Sequence, residues 1–207
     1  MLDHDPGRWD SFKEVLVDDC RAAAELEVQL CRVASEALID ELGAFRVEVW
    51  DHEKTARAGA AAANNWRDPV DAVAWHWLVR DRGVLVAAAR LSLHTDGSDL
   101  PDAHLFGDEL GALHGSRSAP LASMNRLVVA TTHRNRGVAR RLTAERILAA
   151  MAARATVVVV SASTMAPHLA ARGFRTLAQR PGKHFPGMTW SMMVRDLAPD
   201  GPGRGFE

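Results

Sequence analysis

The segment that most constrains the fold runs from a buried strand through a glycine turn directly into a helix. Leu127–Val129 is apolar, residues 134–139 read Arg-Asn-Arg-Gly-Val-Ala, and Ala139–Ala153 carries an apolar stripe at helical spacing. Thr156–Val160 then forms a continuous β-branched run, typical of a strand buried on both faces. A strand, a helix and a second strand in this order call for a layered sheet with helices on its faces.

Further strand and helix patterns alternate around this segment. A long helix is predicted from Val17 to Leu42, with Gly43 as its C-cap and with Cys20 and Cys31 on one of its faces. The other predicted helices are Ala56–Ala63, one turn near Phe106–Leu113 within a loop over 95–120, and Pro167–Arg172. The other predicted strands are Phe45–Trp50, Val73–Val79, Val84–Leu93, Leu121–Ala130, Arg175–Gln179 and Met188–Leu197.

Composition excludes several classes of protein. The 207 residues are 47% hydrophobic and carry a formal net charge of -1, which argues against a coat for nucleic acid or for an anionic membrane. Two cysteines exclude a disulfide framework, and nine scattered histidines without metal-ligand spacing predict no metal site. The N-terminus has no signal-peptide pattern, so the expected location is cytoplasmic.

The turn before the predicted Ala139–Ala153 helix has the features of a phosphate site. The first turn of a helix offers backbone N–H groups and the positive end of its dipole. Gly137 lets the backbone approach an anion closely, and Arg134, Arg136, Arg140 and Arg141 add positive charge. Basic residues at a helix N-terminus oppose the dipole, so a bound anion explains them better than a solvated surface does.

The spacing Arg134-x-x-Gly137-x-Ala139 after a strand resembles the pyrophosphate motif of the GNAT superfamily of acetyl-CoA-dependent N-acyltransferases. The sequence Leu169-Ala-Ala-Arg-Gly-Phe174 resembles the end of that family's motif region, and the resemblance covers about residues 45–197. It implies an α/β fold with a mixed, mostly antiparallel sheet of six to seven strands, helices on both faces and here an extra N-terminal helix. The expected organisation is a helical extension over 1–43, the acyltransferase domain over 44–198 and a disordered tail over 199–207.

The resemblance also implies roles for particular residues. Backbone groups of the motif strand and loop would bind acetyl-CoA or another acyl-CoA, the acyl donor, and Thr164 would assist. The implied donor-binding residues are Leu127, Val128, Val129, Arg134, Asn135, Arg136, Gly137, Val138, Ala139 and Arg140. The N–H groups near Val129 would also stabilise the oxyanion formed when an amine attacks the thioester.

The chain departs from the family pattern at its catalytic positions. It contains no tyrosine, and Leu169 stands where the family has its usual acid. Asn125 or Ser123 stands where a basic glutamate is frequent. The predicted catalytic residues are Ser161, Ser163, His168 and Asn125, with Thr164 and water as further proton sources.

A finer resemblance links the chain to a GNAT branch that includes autoinducer synthases and N-acyl amino-acid synthases. It rests on Arg46-Val-Glu-Val-Trp50, on Asp71 followed by His76, on Ala89-Arg90-Leu91 and on Asn125-Arg126-Leu127. It makes Arg46, Trp50, His76 and Arg90 predicted substrate residues. The alternatives are that both arginines pair with acids across the sheet, that His76 is structural, and that most tryptophans pack in the core rather than wall an acceptor pocket.

The predicted function is transfer of an acyl group, most simply acetyl, from CoA to the amine of a small or amino-acid-like acceptor. Two alternatives stay open at this stage: a non-catalytic GNAT-fold module that binds CoA as a sensor or scaffold, and a long-chain acyltransferase of the autoinducer-synthase type. The expected partners are acyl-CoA and the amine, with a homodimer possible and with neither nucleic acid nor membrane.

Overall fold

The computed structural model describes residues 26–51, 66–115, 119–181 and 188–197. In this part of the chain, four α-helices and seven strands follow one another, with short 3-10 turns at Pro69–Ala72, Gly97–Asp99 and Thr131–His133. The helices are α1 (Glu36–Asp51), α2 (Ala103–Leu110), α3 (Val138–Ala152) and α4 (Ala166–Ala170). The strands are β1 (Glu27–Cys31), β2 (Trp75–Asp81), β3 (Val84–His94), β4 (Leu121–Val129), β5 (Val157–Ala162), β6 (Arg175–Pro181) and β7 (Thr189–Asp196).

The seven strands form one sheet in the order β1-β2-β3-β4-β5-β7-β6. Neighbouring strands are antiparallel except β4 and β5, which are parallel and are joined through α3. The predicted mixed, mostly antiparallel sheet is therefore confirmed. The β2–β3 hairpin predicted from its turn is confirmed too, and Arg82 and Gly83 in the turn both have positive φ, as a two-residue hairpin turn requires.

Helices cover both faces of the sheet. Successive strand residues point to opposite sides, so neighbouring residues of one strand pack against different helices. On one face, Leu142 of α3 and Leu169 of α4 pack in one cluster with Trp77. On the other face, Phe45 of α1 packs near Leu78, the next residue of β2. Phe106 and Leu110 of α2 pack on this second face, further along the sheet, against Val159 of β5 and Met192 and Val194 of β7.

The sheet opens between its two parallel strands. Pairing of β4 with β5 runs only from Leu121↔Val157 to Met124↔Val160, while β5 stays paired with β7 as far as Ala162. Immediately beyond Met124, β4 contains a bulge: Arg90↔Asn125 is followed by Ala88↔Val128, so two residues of β4 face one of β3. Arg126 in the bulge has φ 51. A bulge bends its strand, and here the bend accompanies the separation of β4 from β5.

Two predictions at the start of the domain are wrong. The predicted helix over 17–42 is interrupted, because Glu27–Cys31 is a strand of the sheet and α1 begins only at Glu36. Phe45–Trp50, predicted as a strand, lies in α1, and Gly43 is a buried residue inside that helix rather than its C-cap. The alternation of Phe45, Val47 and Val49 fits a strand, but Leu42, Phe45 and Val49 also lie at helical spacing, and this is the set that packs on the sheet.

The α1 start carries a signal in the sequence. The Ser35 hydroxyl accepts a hydrogen bond from the Leu38 N–H at 3.3 Å, which is the N-cap contact that serine favours. Several predicted segments lie outside the described residues: Val17–Glu25 with Cys20, the Ala56–Ala63 helix and the 199–207 tail.

Within the described part of the chain, no helix is long and apolar enough to cross a membrane.

The core contact of α3 yields a stability prediction. Leu142 is fully buried against the sheet, so Leu142→Ala should lower the free energy of unfolding by about 2–5 kcal/mol through lost burial and a residual cavity. Urea unfolding followed by circular dichroism measures the change. Leu148→Ala, the same substitution at a partly exposed position of the same helix, is the control and should cost clearly less. Equal losses in the two variants would contradict the packing described for α3.

Candidate active site

A cavity of about 510 Å³ lies where β4 and β5 separate. Its walls come from both sides of the sheet, because Thr143 and Arg146 of α3 and Leu169 of α4 line it together with Trp50 of α1 and Leu105 of α2. The remaining lining residues are Trp66, Asp102, His104, Met124, Asn125, Arg126, Leu127, Val128, Val160, Ser161, Ala162, Ser163, Thr164, Met165, Arg180, Pro181 and Trp190. Two reactants entering from opposite faces of the sheet could therefore meet inside it.

The predicted phosphate loop leads from β4 into α3. After the Thr131–His133 turn, Asn135 and Gly137 both have positive φ, at 59° and 79°, and α3 begins at Val138. The Arg134 Nε donates to the Val129 carbonyl at 3.1 Å, which ties the loop to the end of β4. Glycine is favoured at such a φ because it has no Cβ to clash, and the backbone can then curl around an anion at the helix N-terminus.

The predicted donor-binding residues separate into two groups. Leu127, Val128 and Thr164 line the cavity. Val129 ends β4, and the others form the loop and the first turn of α3: Arg134, Asn135, Arg136, Gly137, Val138, Ala139 and Arg140. The Val138 side chain is buried in the core, so Val138 can offer only its backbone to a ligand. In the first group, Leu127 and Val128 lie on β4 and Thr164 follows β5, whereas the second group surrounds the helix N-terminus.

Three of the four predicted catalytic residues line the cavity, namely Ser161, Ser163 and Asn125. His168 does not; it lies on α4 with its Nδ1 3.3 Å from the Arg172 Nη1. Leu169, in the place of the family's tyrosine, is buried and lines the cavity, so this position is apolar. The Asn125 amide is committed to its neighbours on β3 and β4, because its Oδ1 accepts from Arg90 Nε at 2.6 Å and its Nδ2 donates to Ser123 Oγ at 3.1 Å.

A cluster of ion pairs, buried at its centre and partly exposed at Asp68 and Arg126, supports the second-face wall of the cavity. Asp71 accepts two hydrogen bonds from Arg46, at 2.8 and 2.9 Å, and one from Arg90 at 2.7 Å. Arg90 also donates to Asp68 at 2.8 Å, and Asp68 in turn accepts two hydrogen bonds from Arg126, at 2.6 and 2.8 Å. The five charged side chains, Arg46, Asp68, Asp71, Arg90 and Arg126, thus form one connected network from α1 to the β4 bulge.

The network keeps its two aspartates ionised and fixes the orientation of the Arg126 side chain. Burial on its own would raise the pKa of Asp71, but hydrogen bonds and charges from Arg46 and Arg90 outweigh it and hold that pKa well below its usual value. The pKa of Asp68 is lowered in the same way, chiefly by Arg126. The Arg126 guanidinium also lies 4.3 Å from the centre of the Trp66 ring, a cation–π distance that fixes both side chains in the cavity wall.

The predicted substrate residues mostly play a different part. Trp50 lines the cavity, whereas Arg46, His76 and Arg90 are fully buried and do not. The two arginines pair with acids, which is the alternative that the sequence left open, and His76 Nε2 lies 2.8 Å from the Asp71 carbonyl oxygen. These three residues therefore hold the site together from behind its wall. Among the other tryptophans, Trp66 and Trp190 line the cavity, while Trp75 and Trp77 pack in the core, the alternative stated for most of them.

Asp102 is a cavity residue that the sequence analysis missed. It lies immediately before α2, makes no capping hydrogen bond and lines the cavity opposite α3. Burial raises its pKa, although the charges of Arg126 and His104 act in the other direction. A carboxylate with a raised pKa in a cleft is suited to accept a proton. Nothing in the sequence distinguishes it from the other acids of the 95–120 loop.

Arg146 was missed as well. It lies two turns into α3, is 2% exposed and lines the cavity. Burial lowers its pKa to about 9, which leaves the guanidinium charged at neutral pH. The signal in the sequence that could have identified Arg146 is a charged residue in the middle of an apolar helix face.

Within the described ranges, no group of three or more His, Cys, Asp or Glu side chains could hold a metal ion.

Comparisons with known proteins agree with this architecture. The sequence profile of the acetyltransferase (GNAT) domain family matches residues 45–144. No curated protein matches the sequence. The sheet, the splayed strands and the profile together confirm the resemblance seen in the sequence: the protein has the fold of the GNAT acyltransferase superfamily.

Solved structures with the same fold include the following three. FeeM, an N-acyl amino acid synthase from uncultured soil microbes, superposes with a TM-score of 0.63 at 12% identity, covering 83% of this chain and 92% of FeeM. TofI, in complex with an inhibitor and MTA, gives a TM-score of 0.60 at 17% identity over 82% of this chain and 91% of TofI. YncA of Salmonella typhimurium, with its cofactor acetyl-CoA, gives 0.54 at 12% identity over 88% of this chain and all (100%) of YncA. At these identities the likeness establishes the fold alone.

The ion-pair cluster generates a stability prediction. Asp71→Asn leaves the buried Arg46 and Arg90 undercompensated and should lower the free energy of unfolding by about 3–5 kcal/mol. Urea unfolding measures it. Arg67→Ala, which removes an exposed ion pair with Glu36 and Asp40, is the control and should change stability little.

The pH dependence gives a second readout of the same cluster. A carboxylate with a lowered pKa in the folded state stabilises the protein above its unfolded pKa, and that stabilisation is lost as the pH falls. Stability should therefore decline as the pH drops below about 4, the normal range of an aspartate. This decline should be shallower in Asp71→Asn. The same slope in both proteins would contradict the role given to Asp71.

Proposed function

We propose that the protein is an acyl-CoA-dependent N-acyltransferase that transfers an acyl group from a thioester to the amine of a small acceptor. The observation that carries the proposal is the cavity between β4 and β5, which reaches both faces of the sheet and follows a strand leading into the Gly137 loop. Acyl-CoA supplies the activated acyl group, and the chain's own residues bind, orient and move protons.

The donor side fits a pantetheine arm ending in a pyrophosphate. Among the described residues, no strand pairs with β4 on its β5 side beyond Met124, so its backbone can pair with the amides of an extended ligand as an added strand would. The same strand continues to the loop, where the first turn of α3 offers N–H groups to a phosphate. The free edge of β4 and the loop at the start of α3 follow one another along the chain, so together they offer the extended path that a long, linear donor requires.

The acceptor side fits a small amine with an apolar or aromatic body. Trp50, Trp66 and Trp190 supply flat apolar walls, and Asp102 places a carboxylate among them. A protonated amine would pair with this carboxylate and lose its proton to it. Because the pKa of Asp102 is raised, it lies closer to the pKa of the amine, and this favours transfer of the proton.

The chemistry then follows the positions of these groups. The deprotonated nitrogen attacks the thioester carbon, and N–H groups of β4 beyond the bulge stabilise the oxygen that becomes negative. The C–S bond breaks, its electron pair remains on sulfur, and the amide product keeps the acyl group. The thiolate then takes a proton from water or from a hydroxyl group that lines the cavity, which is that of Ser161, Ser163 or Thr164.

A second function is favoured by one observation, which is the apolar Leu169 in the place of the family's acid. A non-catalytic protein that binds CoA as a sensor would need no acid. Thiol release with a panel of amines separates the two possibilities, because only an enzyme gives steady release above the rate without amine. Calorimetry with acetyl-CoA and with long-chain acyl-CoAs tests the donor itself. Folded protein that binds none of them would refute both functions.

Donor binding at the loop is tested by Gly137→Glu. A side chain at φ 79° strains the backbone, and the added negative charge repels the pyrophosphate. The affinity for acetyl-CoA, measured by calorimetry, should fall by about tenfold or more, or ~1.4 kcal/mol. Gly173→Glu makes the same change at another positive-φ glycine, outside the cavity lining, and should leave affinity unchanged. Equal losses would mean that the loop is not the donor site.

The base is tested by Asp102→Asn. Losing the proton acceptor should reduce kcat/KM by about 10²-fold at neutral pH. In the wild type, kcat/KM should fall as the pH drops through the raised pKa of Asp102, and this acidic limb should disappear in the variant. Asp108→Asn, an exposed acid on α2, is the control. An unchanged pH profile in Asp102→Asn would assign the base elsewhere.

A further inference from the structure

Arg146 is a buried cation without a carboxylate partner among the described residues. Its three hydrogen bonds all go to backbone carbonyls: Nε donates to Leu142 at 3.1 Å, and Nη1 donates to Arg90 at 3.3 Å and to Asn125 at 3.4 Å. Arg46 and Arg90, the other two arginines in the core, each pair with Asp71. Burying a charge without a counter-ion is costly, so its retention requires a reason.

The three carbonyl contacts fix where the charge lies. Arg90 and Asn125 are paired residues at the edge of the β4 bulge, so Nη1 is anchored beneath the point where the sheet opens. The Nη2 group has no hydrogen-bond partner within the described part of the chain, and the side chain lines the cavity. Arg146 thus offers a held, charged donor to whatever occupies this part of the cavity.

The chemistry at this point creates an anion. Arg146 shares the cavity wall with Thr143 and with Leu169, the position at which the family's acid is missing. All three belong to the helices α3 and α4 on one face of the sheet, the face to which the Gly137 loop at the start of α3 would bring the donor. Thioester cleavage leaves a negative sulfur on that side, and no other arginine of α3 or α4 lines the cavity.

We propose that Arg146 stabilises the departing thiolate and thereby replaces the acid that Leu169 cannot supply. This inference rests on the proposed acyl transfer. The electron pair of the breaking C–S bond remains on sulfur, Arg146 keeps its own protons because a guanidinium does not give them up at neutral pH, and water protonates the sulfur afterwards. The interaction is a charge-assisted hydrogen bond from a side chain that is only 2% exposed, and such contacts are stronger at buried groups than in water.

A merely structural role predicts something different. If Arg146 only satisfies the carbonyls of Arg90 and Asn125, its loss should lower stability but should not alter the ionisation of a bound thiol. The test therefore measures the pH at which CoA bound to the wild-type protein forms its thiolate, from the ultraviolet absorbance of the thiolate. Desulfo-CoA, which lacks the thiol, supplies the baseline that removes the protein's own cysteines.

The proposal predicts that bound CoA ionises at a lower pH than free CoA. Arg146→Met should return the ionisation to that of free CoA, and Arg146→Lys, which keeps the charge, should retain part of the shift. Arg195→Met removes an arginine that does not line the cavity and should have no effect. In turnover, Arg146→Met should lose about 10²-fold in kcat with acyl-CoA, and less with a donor whose thiol is more acidic.

Each negative result has its own meaning. If wild-type protein does not bind CoA, the proposed function fails. If it binds CoA but the bound thiol ionises as in free solution, the role of Arg146 is overturned while the function can stand. This decisive measurement uses the wild type, so a variant that fails to fold does not weaken it. An Arg146→Met protein that folds and keeps the wild-type ionisation overturns the role equally.

Discussion

The ion pairs around Asp71 connect the parts of the molecule on which the site depends. Asp71 binds Arg46 of α1 and Arg90 of β3, and Arg90 continues through Asp68 to Arg126 in the β4 bulge. Buried charges tolerate little displacement, because each loses its partner when it moves. The cluster therefore fixes the helix, the 3-10 turn and the bulge relative to one another. The opening in the sheet begins at that bulge.

The opening in the sheet gives the proposed reaction a donor side and an acceptor side. The bend in β4 separates it from β5 and frees the strand's edge toward a donor, while α1 and the turn before α2 close the other face with Trp50, Trp66 and Asp102. The bulge thus serves both sides at once. Arg146 contacts the same bulge from below through the Arg90 and Asn125 carbonyls. Its charge and the network on the other face are therefore held by the same short stretch of β3 and β4.

Local patterns predicted much of this architecture. The β2–β3 hairpin, β4, the loop, α3 and β5 were predictable because each depends on neighbouring residues: a turn, a glycine, an apolar stripe or a β-branched run. Phe45–Trp50 was not, because its apolar residues fit both periodicities and only packing against the sheet decides for the helix. Short strands such as β1 depend on the partner they pair with, and Glu27–Cys31 carries little signal of its own.

The site residues divide in the same way. Leu127 and Gly137 belong to one contiguous motif, and Ser161 directly follows the predicted strand Thr156–Val160, so local patterns indicated which elements carry them. Asp68, Asp102 and Arg146 acquire their significance from burial and from partners distant in the chain, which no local pattern records. Arg46 and Arg90 were predicted as substrate residues, but they pair with Asp71 behind the wall and do not line the cavity.

The most direct test of donor binding in the opened sheet is a crystal structure of the protein with CoA. We expect the pyrophosphate at the N–H groups of the Gly137 loop and the first turn of α3. We also expect the pantetheine arm along β4 beyond Met124, and the sulfur in the opening between β4 and β5 near Arg146. CoA bound elsewhere, or bound with its sulfur outside this opening, would contradict the central claim.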